Sequence, residues 1–113
     1  MRISEMLNIY DFHDSLVKKI NYNNSEVTFK IELCNWRQKN YNADENEMKT
    51  MELVFKDVKD YKFNGTINTI DDDTILVFEC NNRECGNIKV VLEGDRDIKI
   101  IEFRGYSVDI FWN

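Results

Sequence analysis

A strict alternation of apolar and polar residues identifies one strand of this chain directly. The segment 27–33 reads Val-Thr-Phe-Lys-Ile-Glu-Leu. Successive side chains of a strand point to opposite faces, so the pattern predicts one buried face and one solvated face. The segment 16–22 precedes it, and Asn23-Asn24-Ser25 supplies a turn between the two. Together they predict a β-hairpin.

Similar patterns predict further short strands separated by turn signals. The chain has one alanine and no proline, and a shortage of the best helix former favours sheet. We predict a mainly β fold, an antiparallel β-sandwich or a barrel-like sheet; the alternative is an α+β fold with one helix packed on one antiparallel sheet. The predicted strands lie near 51–55, 58–63, 75–80, 88–92 and 98–103, and 106–112 forms a hairpin with 98–103 around Arg104-Gly105.

One short N-terminal helix accompanies these strands. The apolar residues Ile3, Met6, Leu7 and Tyr10 recur at helical spacing, and Ser4 is placed as the N-cap. This apolar stripe is more typical of a core face than of a partner-binding face.

Size and charge limit the class of protein. The chain has 113 residues, 13.5 kDa and a net charge of −6, which predicts a single β-rich domain over 1–113. An acidic surface disfavours nucleic acid and anionic membranes and attracts a basic protein.

No apolar run approaches the roughly 20 residues of a membrane span, and the first twelve residues lack a secretory signal. With three cysteines and no sign of export, we predict a cytoplasmic protein.

The cysteines and the single histidine offer one metal hypothesis. Cys80 and Cys85 are spaced as C-x4-C, and Cys34 and His13 would complete a zinc site of three cysteines and one histidine. The structural alternative treats Cys34 and Cys80 as small strand residues and Cys85 as an exposed turn thiol.

His13 also suggests a catalytic hypothesis, in which Asp14 orients its ring and the ring activates a cysteine. Neighbouring side chains in an extended segment point to opposite sides, so we predict no direct contact between His13 and Asp14. The structural alternative gives Asp14 or Ser15 a local turn or cap hydrogen bond and packs His13 at a sheet edge. The sequence contains no catalytic or phosphate-binding motif, so we predict a non-enzyme without a cofactor.

Residues 35–49 predict a long polar loop, with a helical turn from Asp44 onward. Trp36, Arg37 and Tyr41 lie in this loop, and exposed aromatic and arginine side chains are typical anchors of protein interfaces. They are the candidate protein-binding residues. The structural alternative folds Trp36 back over the end of the sheet.

Two short motifs resemble a loose group of small bacterial β-rich proteins. They are Phe12-His13-Asp14-Ser15 before the first hairpin and the later strand Leu53-Val54-Phe55-Lys56-Asp57-Val58. Some proteins similar to this group are regarded as immunity proteins of bacterial toxin systems. The resemblance implies a binding protein in which His13 and Asp14 have structural roles.

Three functional hypotheses follow from these observations. The first is a non-catalytic protein-binding module of the cytoplasm, such as an immunity protein that neutralises a toxin. The second is a small zinc-binding domain built on the cysteines and His13. The third is a structural homo-oligomer that associates through a sheet edge or through its apolar C-terminal strand, 108–112.

Overall fold

The computed structural model describes residues 1–65, 70–81 and 86–113. Within these ranges the chain forms one α-helix, eight β-strands and a short 3₁₀-helix. In chain order they are α1 (Ile3–Ile9), β1 (Leu16–Asn23), β2 (Glu26–Cys34), the 3₁₀-helix (Asn35–Arg37), β3 (Met48–Phe55), β4 (Lys59–Asn64), β5 (Asp73–Cys80), β6 (Asn87–Glu93), β7 (Ile98–Arg104) and β8 (Val108–Trp112).

All eight strands belong to one antiparallel sheet, in the order β4-β7-β6-β5-β1-β2-β3-β8, which confirms the mainly β prediction. The two halves of the sheet meet where β1 pairs with β5 over only two residue pairs. The halves also face each other, because the ring centroid of Phe103 on β7 lies 5.1 Å from that of Phe55 on β3 and 6.5 Å from that of Phe29 on β2. The sheet therefore folds over on itself in a sandwich-like arrangement.

The predicted first hairpin is confirmed. Strand β2 pairs with β1 across a tight turn in which Asn24 and Ser25 both have positive φ, 52° and 62°. This backbone suits a two-residue hairpin turn, whose twist matches that of the flanking strands. The alternating apolar residues of β2 are fully or almost fully buried: Val27, Phe29, Ile31 and Leu33.

The predicted C-terminal hairpin is wrong. Strand β7 pairs with β6 and β4, whereas β8 pairs with β3 at the other end of the strand order. Gly105 between them is buried, and its N–H donates to the carbonyl of Gly86. A glycine between two apolar segments resembles a hairpin turn in the sequence, although here it starts a crossover to the opposite edge of the sheet.

The helix and the long loop also differ from the predictions in detail. Arg2, not Ser4, occupies the N-cap position of α1, without a side-chain cap hydrogen bond. Ile3 and Met6 of α1 are fully buried, as the apolar stripe predicted. The helical turn in the loop lies at Asn35–Arg37, whereas the sequence predicted one from Asp44 onward. Within the described residues, no helix is both long enough and apolar enough to span a bilayer.

A buried cluster of three charges links the β4–β5 and β6–β7 connections. Lys99 on β7 is 2% exposed, and its Nζ lies 2.5 Å from Asp73 Oδ2 and 3.2 Å from Asp97 Oδ1. Burial acts to lower the pKa of Lys99, but the hydrogen bonds and charges of the two aspartates outweigh it, so the pKa is raised. A run of three aspartates such as 71–73 is typical of a solvated turn. Asp73 is nevertheless buried, and its charge is paired with this lysine.

Replacing Lys99 with methionine should destabilise the protein by about 3 to 5 kcal/mol, because two buried carboxylates would lose their cation. Urea unfolding measures the change, and Lys62→Met, which changes an exposed lysine of β4, is the matched control. The control should stay within about 0.5 kcal/mol of the natural chain. Equal losses in the two variants would contradict a stabilising role for the cluster.

The raised pKa of Lys99 also predicts an alkaline limit of stability. A group whose pKa is raised on folding contributes stability below its unfolded value, here 10.5, and loses that contribution as the pH rises through the higher folded pKa. We expect the unfolding free energy of the natural chain to fall more steeply than that of Lys99→Met as the pH rises above 10.5. Urea unfolding at a series of alkaline pH values measures both slopes.

Candidate protein-binding surface

The segment Phe12–Ser15 joins three strands at the point where β1 meets β5. The N–H of Asp14 donates to the carbonyl of Ile75 at 3.0 Å, and the N–H of Ile75 donates to the carbonyl of Ser15 at 2.8 Å. The fully buried hydroxyl of Ser15 accepts from the N–H of Cys34, at the end of β2, at 2.8 Å. This short segment therefore ties β1, β2 and β5 together.

The His13 and Asp14 side chains meet, contrary to the prediction from alternation. Asp14 has φ 67°, a left-handed conformation in which alternation does not apply, and its Oδ1 lies 3.5 Å from His13 Nε2. The His13 Nδ1 lies 3.0 Å from the carbonyl oxygen of Leu76, which suits a proton on Nδ1. The N–H of His13 donates to Asp11 Oδ1 at 3.0 Å. The ring thus lies between a backbone carbonyl and a carboxylate.

Arg37 connects this segment to the long loop. Its Nη2 lies 2.9 Å from Asp14 Oδ2, its Nε donates to the same oxygen at 3.1 Å, and its Nη1 lies 3.6 Å from Asp11 Oδ2. The guanidinium carbon lies 5.2 Å from the ring centroid of Trp36. Because the groups are partly exposed, these ion pairs contribute orientation more than stability. They hold Arg37, and with it Trp36, in one position.

Two amide side chains fasten the loop at both ends. Gln38 Nε2 donates to the carbonyls of Asp11 at 2.7 Å and Cys34 at 2.9 Å, and Gln38 Oε1 accepts from the N–H of Asp11 at 3.0 Å. The buried Asn35 donates to the carbonyl of Asn46 at 2.9 Å. Sequence reasoning missed both residues, because nothing in the sequence separates them from the many other amides of the chain.

One of the candidate anchors, Tyr41, lines a groove. Trp36 is 50% exposed and Tyr41 is partly buried. Tyr41 lines a groove of about 470 Å³ between the loop and the end of α1, together with Ile9, Tyr10 and Trp112. The rings of Tyr10 and Trp112 are 5.7 Å apart. We call Trp36, Arg37, Tyr41 and this groove the loop–helix surface.

The predicted zinc ligands have different environments. Cys34 is buried at the end of β2, where burial, together with the charge of Asp14, raises the pKa of its thiol. Cys80 is disulfide-bonded, and Cys85 lies outside the described residues. In the parts of the chain that the structure describes, no three His, Cys, Asp or Glu side chains form a group that could hold a metal ion. The zinc site therefore stays a prediction.

Ser15→Ala should destabilise the protein by about 1 to 3 kcal/mol, because the buried N–H of Cys34 would lose its acceptor. Chemical unfolding measures the loss. Ser107→Ala, at an exposed serine, is the control and should change stability by less than about 0.5 kcal/mol. A loss at Ser15 no larger than that at Ser107 would show that the hydroxyl does not support the junction.

Comparisons of the chain with protein-family models, with curated proteins and with solved structures found no match. The resemblance of the Phe12–Ser15 and Leu53–Val58 motifs to the bacterial group therefore stays a prediction.

Proposed function

We propose that this chain is a non-catalytic protein-binding module and that it binds its partner on the loop–helix surface. The observation that carries the proposal is the position of Trp36, which is half exposed on a loop that internal contacts hold in place. Arg37 is paired with Asp14 and Asp11, and Gln38 bonds the backbone of Asp11. An exposed indole on a loop fixed in this way supports a binding role more than a role in the core.

A fixed anchor binds at a lower entropic cost than a mobile one. Ordering side chains and loops at an interface opposes association, and a segment that is already ordered avoids that cost. Tryptophan, tyrosine and arginine are also the residue types most enriched among the strongest contributors to interface affinity. The groove beside Tyr41 and Trp112 could receive one side chain of the partner. Trp36 and the groove would then give two points of attachment.

The net charge of −6 favours a basic partner. Together with the resemblance to the bacterial group, it leads us to propose an immunity protein whose partner is a basic toxin. Opposite charges speed encounter between the partners, and salt screens the attraction. The association rate constant should therefore fall as salt is added.

The test begins by capturing the tagged protein gently from its own organism and identifying a bound chain by native mass spectrometry. With that partner, Trp36→Ala should weaken affinity by about 2 kcal/mol, or about 30-fold. Tyr106→Ala is the control, since Tyr106 is a more exposed aromatic residue outside the loop–helix surface, and it should change affinity less than twofold. Equal effects of the two variants would contradict the assigned surface, and a salt-independent association rate would contradict the basic partner.

A further inference from the structure

The two edges of the sheet differ in how they are protected against pairing with another strand. The edge strand β4 carries Lys59, Asp60 and Lys62, and its register with β7 is irregular between Lys59 and Lys62. Charged residues and irregular pairing are common protections of an edge. The edge strand β8 instead ends Ile110-Phe111-Trp112, with Phe111 54% and Trp112 47% exposed. An apolar, regular edge of this kind is a template for an added strand.

Among the residues that the structure describes, the second part of the β8 edge has no neighbouring strand and is open to an added one. At its beginning the N–H of Val108 donates to the carbonyl of Met1 at 2.9 Å, so the N-terminal segment covers the edge there. The N–H of Asn113 points toward β3 and donates to the carbonyl of Thr50 at 3.2 Å. The N–H and C=O groups of a strand alternate in direction. The backbone N–H and C=O groups of Ile110 and Trp112 therefore point away from β3, toward the open edge.

We propose that β8 pairs with β8 of a second copy of this chain, antiparallel and with Phe111 on the two-fold axis. In this register Ile110 of each copy faces Trp112 of the other. The backbone N–H and C=O groups of these residues that point away from β3 form four hydrogen bonds between the copies. Phe111 faces Phe111 as a non-hydrogen-bonded pair, the arrangement in which side chains on neighbouring strands are closest. Asp109, the one charged residue of β8, faces Asn113 of the other copy and not the Asp109 of that copy.

The contacts already present in the fold select this register and limit the assembly to two copies. With the two-fold axis at Ile110, Val108 of each copy would face Trp112 of the other as a hydrogen-bonded pair. That pair would need the N–H of Val108, which already donates to the carbonyl of Met1. An axis at Trp112 would form only two hydrogen bonds among the described residues. Continued head-to-tail association would need the β4 edge, which charges and an irregular register protect. A two-fold interface is closed, so pairing ends at the dimer.

This inference rests on different observations from the proposed partner at the loop–helix surface, although Trp112 belongs to both surfaces. The salt dependence of the dimer has the opposite sign. Each copy carries −6, so the copies repel each other and added salt should strengthen the dimer. A basic partner at the loop–helix surface should instead associate more slowly as salt is added. Phe111 lies on the opposite face of β8 from Trp112, the β8 residue that lines the groove. Variants at Phe111 therefore test the dimer without changing the groove.

Sedimentation equilibrium of the full chain over a range of concentrations and salt tests for the dimer. We expect the average mass to rise from monomer toward dimer with concentration, and at lower concentration when salt is high. Phe111→Lys places two like charges together on the axis and should weaken association more than tenfold. Ile98→Lys, at an exposed apolar residue of β7, should leave association unchanged. A monomer at every concentration and salt, or equal weakening by both variants, would overturn the proposal.

A cysteine pair tests the register itself. In Phe111→Cys the two new thiols would face each other across the axis, and diamide, which accepts the two electrons and two protons, should convert them to an intermolecular disulfide. In Asp109→Cys the two thiols would lie four residues apart along the paired strands, about 13 Å, which is too far for a disulfide. We expect a covalent dimer from the first variant only, detected by non-reducing electrophoresis. A covalent dimer from Asp109→Cys, or none from Phe111→Cys, would overturn the register.

Discussion

The structure depends on the short pairing between β1 and β5. Within the described residues, strand pairing connects the two halves of the sheet through two residue pairs, Leu16 with Thr74 and Val17 with Asp73. A longer pairing would hold the halves more nearly in one surface, whereas a short one lets the sheet turn and bring Phe55 and Phe103 together. Each half then covers the apolar face of the other, and this mutual burial is the main favourable contribution to folding.

The residues that join the two halves also position the loop–helix surface. Ser15 bonds to the start of the loop through the N–H of Cys34, and Asp14 holds Arg37. The left-handed backbone of Asp14 makes this possible, because it turns the carboxylate toward His13 and Arg37 while the peptide N–H stays paired with β5. A change at this junction is therefore transmitted to Trp36 through a chain of direct contacts.

Sequence patterns predicted the local features of this protein and failed where distant segments meet. Alternation over 27–33 identified both β2 and its buried face, because the direction of side chains along a strand is a local property. The partner of β8 is not local: its apolar face is covered only when it lies beside β3, and no turn signal records that. In the candidate site, residue type alone singled out Trp36, Arg37 and Tyr41. The amides that fasten the loop have no such signature, because their role depends on which backbone groups the fold brings near them.

The buried charges of Lys99, Asp73 and Asp97 act against wrong arrangements of the same sheet. Asp73 is the first residue of β5 and pairs with Val17 at the junction. A slip of β5 by one residue would turn Asp73 to the opposite face and leave the buried Lys99 without one of its two carboxylates. An incompletely paired buried charge is costly, whereas an apolar cluster of the same volume would accept the slip more readily. The cluster therefore opposes a shift of register at the place where β1 and β5 pair over two residue pairs.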